Sequence, residues 1–283
     1  MQHKFIPVLT LSALFATSYE ASAFSFSTGD PDFRIAVGAR AGASSPEIES
    51  ADDFILAEKT QLRQASFTGL LANGATLADI ANVNVEIYRV FDKDSVNPPS
   101  GRVPTRVNSP ADVAFESRGS ADNTLSYSVS VLGDVATAAN SVLNGIHPLP
   151  NQTTGGEGTV SGREINVSID FSRAITLDAD HYFFVPQVEL KNGNFLWLSA
   201  AKPIVGGSGP FSPDLQSWIR DENLAPDWLR IGTDIVGGTP FNQAFSLTGV
   251  SAVPLPGATW LFLSGLLGLL GTGKRKQTAP QAV

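Results

Sequence analysis

Ile165-Asn166-Val167-Ser168-Ile169-Asp170-Phe171 alternates apolar and polar side chains without a break. In an extended chain successive side chains point to opposite faces. This segment therefore sends Ile165, Val167, Ile169 and Phe171 to a core, and Asn166, Ser168 and Asp170 to water. A helix would scatter the same four apolar residues around its circumference. Two further segments repeat the pattern. Val83, Val85 and Ile87 alternate with Asn84, Glu86 and Tyr88, and Leu125, Tyr127, Val129 and Val131 alternate with Ser126, Ser128 and Ser130. The expectation is a mostly β protein.

Other runs are apolar on both faces: Phe54 to Leu56 after Asp52-Asp53, Tyr182 to Val185, and Phe195 to Leu198. Lys191-Asn192-Gly193-Asn194 separates the last two and reads as a hairpin turn, with Gly193 supplying a positive φ. Phe67–Leu71, Trp228–Ile231 and Phe245–Thr248 complete the expected strands. Many strands between Gly, Pro, Asn and Asp turns, without βαβ spacing, predict a single antiparallel β-sandwich, jelly-roll-like, over residues 24–252. One short helix is expected beside it. After Asp134, apolar residues fall at Val135, Ala138, Ala139, Val142, Leu143 and Ile146, three and four apart, with Asp134 as cap and Gly145 near the end. Asp94 to Asp112, with four prolines, and Pro148 to Gly162 are long irregular stretches of the kind that are functional or mobile loops.

Composition narrows the chemistry. The 283 residues carry a formal charge of −8. Setting aside residues 1–23 and 254–283 removes Lys4, Lys274, Arg275, Lys276 and Glu20. That leaves 15 basic and 26 acidic residues, a net of −11. Such a surface repels phosphate backbones, so no nucleic-acid partner is expected. There is no Cys, and the only Met is Met1. Thiol nucleophiles, thiolate-bound zinc and Cys-ligated clusters are thereby excluded.

The two ends read as addresses. His3 and Lys4 open a short basic start, Phe5 to Phe15 is an apolar run, and Ala21-Ser22-Ala23 supplies small residues where a peptidase reads them. Residues 1–23 are thus expected to be a signal peptide, with Ala21 and Ala23 setting the cleavage. Residues 257–273 carry no charge, a length at the short limit for a membrane helix. Trp260 lies near one edge, and Lys274, Arg275 and Lys276 close the other and hold it on the cytoplasmic side. Residues 277–283 follow as a tail.

Val253-Pro254-Leu255-Pro256, followed by that apolar run and the basic triplet, resembles the PEP-CTERM sorting signal in its VPLP-type variant. Leu255 stands where the namesake triplet has glutamate, and Gly257 where the variant usually has alanine. Over residues 253–276 the resemblance implies recognition by a membrane-embedded exosortase-like processing enzyme. It further implies cleavage near the proline motif, and release or attachment at a Gram-negative cell surface after transient insertion in the inner membrane. An ordinary C-terminal membrane anchor is the competing reading.

Candidate chemistry in the body is sparse. It holds two histidines, His147 and His181, and no Gly-x-Ser-x-Gly elbow, His-x-x-x-His pair or phosphate-cradling glycine loop. No catalytic residue and no cofactor are expected. Asp214, Asp221, Glu222, Asp227 and Asp234 cluster in sequence with Trp218 and Trp228. That mixture is the candidate glycan-binding platform, since indoles stack on sugar rings and carboxylates accept hydroxyl hydrogen bonds. The competing reading puts both indoles in the core, and spacing does not set the orientation of Trp197, Trp218 or Trp228. Asp92-Lys93-Asp94-Ser95 begins like a calcium loop, but Val96, Asn97 and Pro98-Pro99 fail the EF-hand pattern. A structural calcium held by scattered oxygens, with Asp52 or Asp53, is the remaining form of that expectation. Two functions follow: an exported surface or matrix protein with affinity for polysaccharide, or an extracellular glycoside hydrolase using paired carboxylates.

Overall fold

A computed structural model describes residues 20–42, 46–147, 153–205, 212–253 and 264 of the chain. Fourteen strands follow one another among them. They are β1 (Glu20–Ser27), β2 (Pro31–Gly38), β3 (Ile48–Leu56), β4 (Thr60–Ala72), β5 (Ile80–Arg89), β6 (Glu116–Gly119) and β7 (Leu125–Ala138). The second half supplies β8 (Asn140–Val142), β9 (Val160–Leu177), β10 (Asp180–Leu190), β11 (Asn194–Ala200), β12 (Trp218–Asp221), β13 (Leu229–Arg230) and β14 (Phe245–Val253). Residues Ala23–Ser251 form one compact unit.

The strands make two sheets. In the first, β4 is the long spine. Its one side pairs throughout with β9, which in turn carries β7. Its other side is shared between β14, along Thr60 to Phe67, and β11, along Gly69 to Ala72. Beyond them lie β1 next to β14, and β2 and β8 next to β11. Gly69 sits where the sharing changes hands. A Cβ there would meet the Phe195 ring at 2.4 Å and the Leu196 carbonyl oxygen at 2.5 Å, so the close approach of β11 needs a glycine. The second sheet runs β13-β12-β3-β10-β5-β6.

The alternating segments do what their period requires. Val83, Val85 and Ile87 in β5 and Ile165, Val167 and Ile169 in β9 are buried together in the core between the sheets. Phe184 of β10 stacks on Phe245 of β14 at 5.1 Å and meets the Trp197 ring edge-on at 6.1 Å. Trp197 donates its indole N–H to the Ala244 carbonyl at 2.9 Å, which satisfies the one polar atom it brings inside. Each such aromatic contributes roughly 1.5–3 kcal/mol by leaving water. The Lys191–Asn194 turn is present between β10 and β11, with Gly193 at φ 75°.

Three expectations are corrected. No helix covers Asp134–Ile146: β7 runs to Ala138, and β8 then pairs parallel with β2. The apolar residues of that stretch do not share one face: Val135 and Ala139 are exposed, Ala138 is buried at the end of β7, and Val142 is buried at the end of β8. The parallel β2–β8 pair also departs from a purely antiparallel arrangement. Finally, the strand expected at Trp228–Ile231 is reduced to Leu229–Arg230. A π-helical turn, Ile231–Val236, replaces its end, where Asp234 accepts from the Arg230 backbone N–H at 2.9 Å and from its guanidinium.

Candidate functional site

The outer face of the first sheet carries polar residues in rows across four strands. Strand register aligns Ser126 of β7, Asp170 of β9, Gln64 of β4 and Thr248 of β14. The next row is Ser128, Ser168, Ser66 and Ser246, and a third is Ser130, Asn166 and Thr68. The inward partners of these positions, such as Ala65, Phe67, Val167, Ile169 and Leu247, are in the core. The polar rows are therefore the other half of the same period-two pattern.

Hydrogen bonds link the rows sideways. Gln64 donates to Asp170 at 2.7 Å and accepts from Thr248 at 3.2 Å. The Ser66 and Ser246 hydroxyls hydrogen-bond to each other at 2.8 Å, and Asn166 donates to Thr68 at 3.1 Å while accepting from Ser168 at 3.1 Å. Ser126, Ser128, Ser130, Gln64 and Asp170 are exposed, and Ser66, Ser168, Asn166, Ser246 and Thr248 half-buried. A depression of about 220 Å3 lies among Gln64, Ser66, Ser168, Asp170, Ser246 and Thr248. A wider groove of about 840 Å3 continues from it past Arg63, Phe24 and Ser25. The three rows offer many donors and acceptors and a single carboxylate, Asp170. The polar sides of β7 and β9 were legible as such. The matching alternation of Gln64, Ser66 and Thr68 with Ala65 and Phe67 was present in the sequence, but only the pairing register shows that these strands are neighbours.

The residues singled out from sequence lie elsewhere. Trp218 and Trp228 are each 1% exposed, packed with Tyr88, Val90, Phe183 and Val185 on the outer side of the second sheet. Arg220 lies over the Trp228 ring at 4.3 Å, and the Trp228 N–H reaches the Ala111 carbonyl at 3.3 Å. Neither indole presents a face to a sugar. The cover is the Asp94–Asp112 stretch, expected as a functional or mobile loop. Arg106 within it is buried between Asp112 and Asp227, and Ser100 also bonds Asp227. Each of the clustered acids except Glu222, which is exposed, has a structural partner. Asp214 binds the Val205 N–H and Asn242, Asp221 accepts from the N–H groups of Asn223 and Leu224, and Asp234 pairs with Arg230.

Asp52 and Asp53 point to opposite sides of β3 and are both buried. Asp52 accepts from Ser217 at 3.0 Å and the Gln243 N–H at 2.8 Å. Burial, and then the Asp53 charge, push its carboxyl well above the usual range. Asp53 meets His181 Nε2 at 2.6 Å and the Leu215 N–H at 2.8 Å. Burial raises its carboxyl too, against the pull of His181. His147 is exposed beside Arg102. Asp94 of the calcium-loop-like segment pairs with Arg89 at 3.2 Å. Among the described residues no group of three or more His, Asp or Glu side chains is placed to hold a metal ion.

Of the processing residues, Ala21 and Ala23 fall in β1, and Val253 ends β14. Pro254, Leu255, Pro256, Lys274, Arg275 and Lys276 lie outside the described residues, as does the apolar run except Ser264. Among the described residues no helix is long and apolar enough to cross a membrane. The fold and this face define a mostly β protein with a broad polar sheet surface. No protein-family model, curated protein or solved structure matches the chain.

Proposed function

We propose that this is an exported, non-catalytic surface protein whose sandwich-like body, a jelly-roll variant, binds a neutral polysaccharide on the polar face of β7, β9, β4 and β14. The observation that carries this is the eleven aligned side chains in three rows. Hydroxyls and amides spaced at strand intervals match a polymer that presents hydroxyls along its length, and direct hydrogen bonds set such recognition. The three rows hold one charge, Asp170, and Glu164 lies further along the same side of β9, on an acidic chain, which favours an uncharged glycan over a polyanion. The leader 1–23 and the PEP-CTERM-like segment 253–276, acted on by an exosortase-like enzyme, supply the route to the cell surface.

The alternative, a carboxylate-dependent glycoside hydrolase, has less support. Glu49 and Glu86 both contact the Tyr88 hydroxyl, which leaves no space between them for a glycosidic oxygen or a water. Hydrolysis needs carboxyls about 5 Å or more apart, flanking the bond.

Affinity electrophoresis against a panel of neutral and acidic polysaccharides tests the proposal. Ser66→Leu with Ser168→Leu is expected to abolish retardation by a neutral polymer while leaving the circular dichroism unchanged. Retardation that survives in this variant, or turnover of any bound polymer, would remove the reading.

A further inference from the structure

β7 is a sheet edge. Among the described residues its ladder partner is β9 alone. Both of its ends are occupied: the Thr124 N–H bonds Gly119 at one, and the Ala139 N–H bonds Phe33 at the other. Among the described residues no backbone hydrogen bond reaches the side facing away from β9 between those ends. Edge strands are normally guarded by charge or proline because an open ladder recruits another strand. From Leu125 to Gly133 this one has neither. Val131, Leu132 and Val135 are 43%, 55% and 79% exposed, three of the chain's large exposed apolar side chains within five residues.

We propose that two copies of the chain pair antiparallel along this edge. Directly opposed residues of an antiparallel pair have their side chains on the same face, so a strand pairs with itself productively only when a two-fold axis passes through a residue. An axis at Ser128 sets Ser126 opposite Ser130, Tyr127 opposite Val129 and Leu125 opposite Val131. Hydroxyls meet hydroxyls on the outer face, and apolar side chains meet on the inner one. Both copies are acidic, so they repel over most of their surface. The uncharged strip is where they approach without that penalty. Pairing joins the Ser246–Ser66–Ser168–Ser128 row of one copy to that of the other, making one continuous hydroxyl row across eight strands. The interface stands or falls independently of what the polar face binds.

The test uses the full chain in mild detergent. Because it has no cysteine, Ser128→Cys introduces one thiol on the axis. Opposed Cα atoms lie about 4.5–5.5 Å apart, within disulfide reach. Mild oxidation is expected to convert this variant to a covalent dimer, whereas Ser172→Cys, exposed on β9 away from the axis, stays monomeric. Sedimentation equilibrium of the unmodified protein is expected to show twice the chain mass. Val131→Lys with Leu132→Lys is expected to halve that mass without changing the near-ultraviolet circular dichroism. A monomeric unmodified chain, equal cross-linking of the two cysteine variants, or a doubled mass that survives the lysines would each overturn the proposal, the first leaving the edge to a strand from another protein.

Discussion

Glu49 of β3 and Glu86 of β5 meet at one phenol: the Tyr88 hydroxyl oxygen lies 2.7 Å from Glu49 Oε1 and 2.7 Å from Glu86 Oε2. The hydroxyl has one proton and already accepts from Arg220 Nη2 at 2.8 Å. It can donate to one carboxylate only, so the second contact needs a proton on a carboxyl. Arg220 is paired with Glu49, which leaves Glu86 as the holder. Burial pushes the Glu86 carboxyl up to about 7, and the neighbouring Glu49 and Glu47 charges raise it while the Tyr88 hydroxyl bond pulls the other way.

The pH dependence follows in sign. A carboxyl whose folded pKa is raised binds more protons in the folded state than in the unfolded one between the two values. Its contribution is complete below about pH 4.5 and is lost as pH rises through about 7. Asp52, also raised, adds in the same direction. Urea midpoints measured from pH 5 to pH 8 are expected to fall. Glu86→Gln keeps the shape and removes the titration, so its midpoint should fall less steeply. A slope identical to that of the unmodified chain would show that the proton resides elsewhere.

Arg220 ties this phenol to the tryptophans. It binds Glu49 at both oxygens, covers the Trp228 ring, and is itself buried. Arg220→Ala leaves Glu49 charged and unpaired, which costs about 3–5 kcal/mol. Trp228→Ala opens a cavity at a similar cost, about 3–5 kcal/mol. Both losses would be read from urea unfolding. Polysaccharide retardation per folded molecule should be unchanged in Trp228→Ala, which separates this cluster from the polar face. A binding loss without a stability loss would restore the indoles as a sugar platform.

Processing is checked by intact mass. The exported protein is expected to begin at Phe24. In a host with the matching sorting enzyme, the chain is expected to end within Val253–Pro256. Replacing Pro254, Leu255 and Pro256 with alanine should then yield a longer, membrane-retained product. Unchanged processing of that variant would leave a plain anchor as the reading of the C-terminal segment.

Much of the fold was legible because strand period is a local property. Ile165 to Phe171 could bury its apolar half only as a strand, whatever lay beside it, and the Lys191–Asn194 turn declared itself through Gly193. The false helix after Asp134 shows the boundary of such reading. The stretch crosses from β7, held by β9, into β8, held by β2, and local spacing records neither partner.

The sequence by itself determined that strands dominate, that there is no thiol chemistry, and that the chain is acidic, because each depends on residue type and local order. Only the tertiary structure decided which polar residues serve the surface and which the interior. Trp218, Trp228 and Asp227 looked like a sugar platform until residues 94–112 folded over them, with Arg106 clamped between Asp112 and Asp227. Ser168 read as a solvated strand position, and only register set Ser66 and Ser246 beside it in one row. Burial and alignment are sums over chain segments distant in sequence, brought together by the pairing and packing of the two sheets, and no local pattern encodes them.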